Sequence, residues 1–259
     1  DLVKSERNLL TVSFDLQGER QARAYQFDRL DGADGPACAN LIIPGSGRDQ
    51  AYEIARAEVG NYQAEILPAS REVCDSFVFM KPFESLQALH NGKQRLDWPS
   101  FIVYMLNQGG SYSTVYLTQA LAILKHLKTA YPSVFVTGLS QGGAASLVLA
   151  RLSNPTGAIV ASGYSVLNDH VDFAGPTQLT VPGLYDLNAS DALKAWLTTT
   201  DTRLLFTWGK EEPGAYGIEA EEQKTCSAFR DASKVDCKVH PGGHAYDLDG
   251  VKRFLSTHR

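Results

Sequence analysis

The stretch Val134-Phe-Val-Thr-Gly138-Leu-Ser140-Gln-Gly142-Gly-Ala-Ala-Ser-Leu147 decides the fold of this chain. An apolar run rich in valine ends at Gly138, and a run of small residues with helical character begins just after Ser140. Between them lies Gly-x-Ser-x-Gly, a pattern typical of a sharp turn from a strand into a helix. Such a turn strains the backbone and exposes the hydroxyl, and its glycines let neighbouring backbone approach closely. We therefore predict that Ser140 is a nucleophile rather than a buried serine in an ordinary glycine-rich turn.

The composition describes a folded chain without a basic or membrane-spanning segment. The 259 residues are 44% hydrophobic, which is enough to bury a sizeable core. The formal net charge is −5, and the basic residues form no block, so no nucleic-acid partner is expected. No apolar run reaches the length of a membrane span. We expect a single domain over residues 1–259, and its oligomeric state is left open.

Strand-like and helix-like patterns alternate along most of the chain. This alternation predicts an α/β fold with a mostly parallel, doubly wound, eight-stranded sheet and helices on both faces. Two leading strands joined by a hairpin-like turn place an antiparallel edge on this sheet. The predicted strands are 8–16, 22–30, 38–44, 75–81, 134–138, 158–162, 203–208 and 235–240. The predicted helices are 50–59, 113–131, 141–152, 191–197, 218–230 and 246–255.

Two segments lack clear periodicity, and we interpret them as excursions from the sheet. They span 82–112 and 166–200, and we expect them to form the wall or lid of a site.

The four cysteines point to two disulfides. Cys38 and Cys74 each stand just before an apolar strand, so a parallel sheet brings them to the same edge. Cys226 and Cys237 bracket the end of a helix and the start of a strand. No cysteine or histidine spacing matches a metal site. We predict the pairs Cys38–Cys74 and Cys226–Cys237 in a secreted or periplasmic protein; four free thiols in a cytosolic enzyme are the alternative.

A nucleophilic serine needs a base, and His244 is the best placed of the six histidines. It lies in Pro241-Gly-Gly-His-Ala-Tyr246, just past the carboxyl end of the last strand. Open α/β sheets place their chemistry at that end of the strands. The remaining histidines lie in a helix, in the excursions, within the last strand or at the terminus: His90, His126, His170, His240 and His258.

The acid that orients the base should follow another strand, between the serine and the histidine. The strand 203–208 is followed by Gly209-Lys-Glu-Glu-Pro213, and Glu212 is far enough along to turn back over the sheet. We predict Glu212 as the acid. The alternatives are Glu211, Asp169, Asp172 and Asp186.

Two backbone amides should bind the oxyanion of the tetrahedral intermediate. One is the amide of Gln141, the residue after the predicted nucleophile. The other should come from the turn Pro44-Gly-Ser-Gly47 after the strand 38–44, where we predict Ser46, with Gly47 second. A turn that needs glycine for its geometry alone is the alternative.

These motifs together resemble the α/β-hydrolase-fold serine hydrolases over nearly the whole chain. In chain order, Gly45-Ser46-Gly47, Gly138-Leu-Ser140-Gln-Gly142-Gly, Gly209-x-x-Glu212 and Gly243-His244 match the oxyanion loop, nucleophile, acid and base. The sequences around Ser140 and His244 are similar to those of the carboxylesterase, dienelactone-hydrolase-like and secreted carbohydrate-esterase branches of this family. Two features depart from the family pattern: Pro44 replaces the usual histidine before the oxyanion glycine, and the predicted acid is a glutamate rather than the more common aspartate.

The resemblance implies cleavage of a carboxylic ester through an acyl-enzyme, without a metal or organic cofactor. We expect a small-molecule or polysaccharide ester as substrate, with Trp98, Tyr112 and Tyr164 near the cleft. Two alternatives remain. One is a serine peptidase similar to the prolyl oligopeptidases, and the other is a non-catalytic binding protein that kept the fold.

Overall fold

The computed structural model describes residues 9–15, 19–30, 37–47, 50–56, 61–84, 110–163, 190–212, 226–227, 229 and 232–259. Its strands are Leu9–Asp15 (β1), Glu19–Phe27 (β2), Cys38–Ile43 (β3), Asp75–Met80 (β4), Ser133–Leu139 (β5), Gly157–Ala161 (β6), Arg203–Gly209 (β7) and Val235–His240 (β8). Its helices are Gln50–Ala55 (α1), Ile66–Arg71 (α2), Tyr112–Ala130 (α3), Gln141–Ser153 (α4), Ser190–Thr199 (α5) and Leu248–His258 (α6).

The strands of the described chain form one eight-stranded sheet in the order β1-β2-β4-β3-β5-β6-β7-β8. The pairs β1–β2 and β2–β4 are antiparallel, and every other pair is parallel. The predicted fold class, mostly parallel with an antiparallel edge, is therefore confirmed.

The core lies in two layers, one on each face of the sheet. Helices α3, α4 and α5 cover one face, where Leu124, Val136 and Leu147 are fully buried. Helices α1, α2 and α6 cover the other face, where Ile42, Ile54 and Leu255 are fully buried. Central strands such as β3 are buried along their whole length because both of their faces are covered.

Several helix boundaries differ from the sequence prediction. The sequence also suggests Ser113 or Thr114 as the N-cap of the helix 113–131, and this is wrong: α3 starts at Tyr112, and its N-cap is Ser111, whose Oγ accepts the amide of Thr114 at 3.1 Å. Helix α6 begins at Leu248 rather than at residue 246; its N-cap is Asp247, and the buried Tyr246 lies before the cap. Helix α2 was not predicted, since six residues carry too little periodicity. Most of the predicted helix 218–230 lies outside the described residues.

Both predicted disulfides are present. Cys38–Cys74 joins the starts of the parallel neighbours β3 and β4, with a Cα–Cα distance of 4.9 Å and both cysteines fully buried. Cys226–Cys237 connects the chain before β8 to β8 itself, which is the exposed edge strand of the sheet, with a Cα–Cα distance of 5.9 Å. Within the described ranges, no helix has the length and apolarity that a membrane crossing requires.

Candidate active site

Four polar side chains follow four successive strands at the carboxyl edge of the parallel sheet. Ser140 follows β5, Ser162 follows β6, Glu212 lies three residues after β7, and His244 lies four residues after β8. Because these strands are parallel and adjacent, their carboxyl ends share one edge of the sheet. Sequence reasoning assigned three of these residues to this edge, and it missed Ser162.

Ser140 sits on the turn between β5 and α4 in a strained conformation. Its φ and ψ are 60° and −122°, a combination that residues with a Cβ rarely adopt. Its amide donates to the carbonyl of Ala161 at 2.9 Å, which ties the turn to the neighbouring strand β6. The residue is 5% exposed and stands immediately before the N-terminus of α4, where the helix dipole favours negative charge.

The two glycines of the motif are required by close packing. A Cβ on Gly138 would lie 2.0 Å from the carbonyl oxygen of Gly142, and a Cβ on Gly142 would lie 2.0 Å from that of Ile43. Any larger residue at either position would push α4 away from the sheet. The turn therefore keeps its geometry only with glycine at both positions.

The predicted base and acid are in direct contact. The Nδ1 atom of His244 lies 3.0 Å from Oε2 of Glu212. The side chain of Glu212 is 1% exposed, and that of His244 is 19% exposed. With Nδ1–H donating to the carboxylate, Nε2 becomes the basic nitrogen of a neutral imidazole. The structure thus joins Glu212 to His244.

The other oxygen of the Glu212 carboxylate has its own donors. Oε1 accepts the hydroxyl of Ser162 in a short hydrogen bond and the amide of Gly209 at 2.8 Å. Ser162 is 4% exposed and has a φ of 45°, so its backbone is held in the left-handed region beside the acid. Burial raises the pKa of Glu212, but the hydrogen bonds from His244, Ser162 and Gly209 outweigh it and lower that pKa below its ordinary value.

Backbone contacts hold the acid loop against the base loop. The amide of Lys210 donates to the carbonyl of His240 at 2.8 Å, and that of Glu211 donates to the carbonyl of Gly242 at 3.0 Å. A Cβ on Gly209 would lie 2.0 Å from the carbonyl oxygen of Gly243, so only glycine fits there. These contacts continue the pairing of β7 with β8 and fix the acid and the base relative to each other.

The alternative acids can be compared with Glu212 where the structure describes them. Glu211 is exposed, and its backbone rather than its carboxylate carries the contact to the base loop. Asp169, Asp172 and Asp186 lie outside the described residues. Among the described candidates, Glu212 alone makes a hydrogen bond to His244.

His240 shapes the loop that carries the base. It is 6% exposed, its Nδ1 accepts the amide of Gly242 at 3.2 Å, and its Nε2 lies 3.2 Å from the carbonyl of Ala245. The two contacts suit a neutral imidazole that accepts at Nδ1 and donates at Nε2. This histidine therefore bridges the glycine-rich loop internally instead of facing Glu212.

The predicted oxyanion loop starts beside the turn that carries Ser140. Ile43, the last residue of β3, pairs with Gly138 of β5, so the residues that follow both strands leave the sheet side by side. The amide of Gly45 is already engaged, because it donates to Oε1 of the buried Gln63 at 2.6 Å. Ser46 is exposed at this edge of the sheet.

The predicted substrate-contacting aromatics have different positions. Tyr112 is 8% exposed and stacks on Tyr116 with a centroid distance of 6.0 Å, so its ring packs in the core, and its contact with substrate stays a prediction. Trp98 and Tyr164 lie outside the described residues. An aromatic that the sequence did not single out, Tyr62, lies 5.6 Å from the ring of His244 and is 42% exposed. No sequence motif marks it.

Comparison with known proteins gives the fold a name. No family model and no curated protein sequence matches the chain. The solved structure of Est1E from Butyrivibrio proteoclasticus is similar at a TM-score of 0.55 and 15% identity, covering 95% of this chain and 96% of that one. A putative dienelactone hydrolase from Klebsiella pneumoniae gives 0.54 and 18%, with 93% and 89% covered.

A further similar structure is a carbohydrate esterase family 15 glucuronoyl esterase from Caldicellulosiruptor kristjansonii. It gives a TM-score of 0.56 and 13% identity, and the match covers 96% of this chain and 74% of that one. These likenesses, together with the sheet order, show that the chain has the α/β-hydrolase fold.

Proposed function

We propose that this protein is a serine hydrolase that cleaves a carboxylic ester, with Ser140 as nucleophile, His244 as base and Glu212 as acid. The observation that carries the proposal is the hydrogen bond between the buried carboxylate of Glu212 and His244, at the same sheet edge as a serine with φ 60° and ψ −122°. A strained serine on a strand-to-helix turn and a histidine oriented by a carboxylate are the parts that acyl transfer needs.

In the proposed first step, Nε2 of His244 removes the hydroxyl proton of Ser140 while Oγ attacks the ester carbonyl carbon. The tetrahedral intermediate collapses, the C–O bond to the alcohol breaks, and the imidazolium gives its proton to the leaving oxygen. The carboxylate of Glu212 stabilises the imidazolium that forms between these events. Water, activated by the same imidazole, then attacks the acyl-enzyme and releases the carboxylic acid and free Ser140.

The oxyanion binds in this proposal to the amides of Gln141 and Ser46. Gln141 is the first residue of α4, so its amide lies at the positive end of the helix dipole. Ser46 supplies the second donor from the loop after β3, because the amide of Gly45 is occupied by Gln63. Gly47 remains the alternative second donor.

We infer that the substrate is an extracellular ester, on a carbohydrate or on another polymer. Two disulfides are compatible with an exported, secreted or periplasmic protein. Est1E, one of the similar structures, has been solved with ferulic acid bound, and another is a glucuronoyl esterase. Tyr62 beside His244 offers an exposed ring to an aromatic or sugar group of such a substrate.

A fluorophosphonate probe tests the proposed reaction class. The wild type should be labelled and Ser140→Ala should not, while the matched control Ser153→Ala, at the far end of the same helix, should label like the wild type. An unlabelled wild type that also fails to turn over p-nitrophenyl acetate would favour the alternative hypothesis, a non-catalytic binding protein that kept the fold. Faster cleavage of peptide amides than of acyl, feruloyl or acetylated-sugar esters would favour a peptidase.

A further inference from the structure

A lysine is buried directly beneath the loop that carries Ser46. Lys81 follows β4 and is 2% exposed. Its Nζ donates a short hydrogen bond to the carbonyl of Gly45 and a second one, at 3.0 Å, to the carbonyl of Gly47. A buried ammonium group is costly unless hydrogen bonds compensate it, so both contacts matter to the fold.

The first of these contacts sets the direction of the Ser46 amide. The carbonyl of Gly45 and the N–H of Ser46 belong to the same peptide unit, and the described chain contains no cis peptide bond. In a planar trans unit the C=O and the N–H point in opposite directions. Lys81 binds the carbonyl of Gly45 from the buried side of the loop. The N–H of Ser46 must therefore point away from the lysine.

The preceding peptide unit is fixed independently. The amide of Gly45 donates to Oε1 of Gln63, and Nε2 of Gln63 donates to Oε1 of Gln50 at 2.6 Å. Gln63 is fully buried, so this contact is shielded from water. Two consecutive peptide units of the loop therefore have their orientation set by buried side chains from elsewhere in the chain.

Glu84 completes the electrostatic environment of the lysine. It is 5% exposed and accepts the amide of Tyr52 at 2.8 Å near the start of α1. Burial lowers the pKa of Lys81 to about 8, and the charge of Glu84 opposes that shift. An Nζ that donates to the carbonyl of Gly45 polarises the Gly45–Ser46 peptide and makes the Ser46 amide a stronger donor.

We propose that Lys81 is a positioning residue of the active site, which holds the Gly45 carbonyl so that the Ser46 amide is ready to bind the oxyanion. This inference rests on the proposed ester hydrolysis and adds to it a residue that acts through the loop rather than on the substrate. A positioning role in the oxyanion loop should affect the transition state much more than substrate binding.

The test compares Lys81→Met, which removes every donor, with Lys81→Gln, which keeps a neutral one. Steady-state kinetics on p-nitrophenyl acetate should show a kcat about 10²-fold lower for Lys81→Met, with KM changed less than about threefold. Lys81→Gln should recover part of that loss. The matched control is Lys252→Met, at an exposed lysine that pairs with Glu72 on the surface, and its kcat should equal that of the wild type.

Thermal unfolding and near-ultraviolet circular dichroism identify the folded variants, and if Lys81→Met does not fold, Lys81→Gln alone decides. A folded variant whose kcat equals that of the wild type, or whose defect lies wholly in KM, would overturn the inference. An inactive wild type that fluorophosphonate does not label would instead refute the proposed function. The two failures are thus distinguishable.

Discussion

At the scale of single residues, the two neighbouring glutamates after β7 offer a matched comparison. Glu212 is buried against His244, and Glu211 is exposed. We predict that Glu212→Gln lowers kcat by about 10²–10⁴-fold because an amide cannot stabilise the imidazolium. Glu211→Gln should stay within about twofold of the wild type. Kinetics on the same ester substrate decide this, and the reverse order of effects would assign the acid to Glu211.

Ser162 gives a prediction with a defined pH dependence. Its hydroxyl donates to Glu212 and helps to lower the pKa of that carboxyl, so Ser162→Ala should raise the pKa. A lowered carboxyl pKa stabilises the fold above the unfolded-state value of about 4.5, and this contribution is lost as the pH falls through the folded-state value. The deficit of Ser162→Ala in unfolding free energy should therefore be largest at neutral pH and shrink in acid.

Urea unfolding of wild type and Ser162→Ala across that pH range measures the deficit. Ser233→Ala, at an exposed serine before β8, serves as the control. A deficit that is the same at neutral and acidic pH would mean that Ser162 acts through packing alone.

At the scale of elements, the cap of α3 has a measurable effect on stability. Ser111 satisfies the amide of Thr114, which would otherwise lack a partner within the helix. Ser111→Ala should lower the unfolding free energy by about 1 kcal/mol, whereas Ser111→Asp, which can cap as well, should cost much less. Denaturant titration checks the pair, and equal losses for both variants would contradict a capping role.

How far the sequence predicts the site depends on where each residue sits relative to an element. Ser140, His244 and Glu212 each follow a strand, and the chain order of nucleophile, acid and base is visible in the motifs. The side chains that hold them have no such signal. Lys81 is a lone lysine after a strand, Gln63 precedes a helix too short to predict, and their burial depends on packing between distant segments.

At the scale of the whole molecule, the cysteine pairing is predictable for the same reason as the fold. Parallel neighbours start at the same edge of a sheet, so Cys38 and Cys74 meet once β3 and β4 pair. Removing this bridge by the double change Cys38→Ala and Cys74→Ala should lower the unfolding free energy by about 2–4 kcal/mol. Equilibrium unfolding measures the loss, and an unchanged unfolding free energy would show that the bridge does not constrain the chain.

In the proposed mechanism, Ser140 carries the acyl group during turnover. Rapid acid quenching of the enzyme with p-nitrophenyl acetate, followed by digestion and mass spectrometry, locates that group directly. We predict an acetyl group on Ser140 in the peptide that spans β5 and α4, and no acetylated peptide from Ser140→Ala. Stoichiometric acetylation of another residue during turnover, or sustained turnover by Ser140→Ala, would show that Ser140 is not the nucleophile.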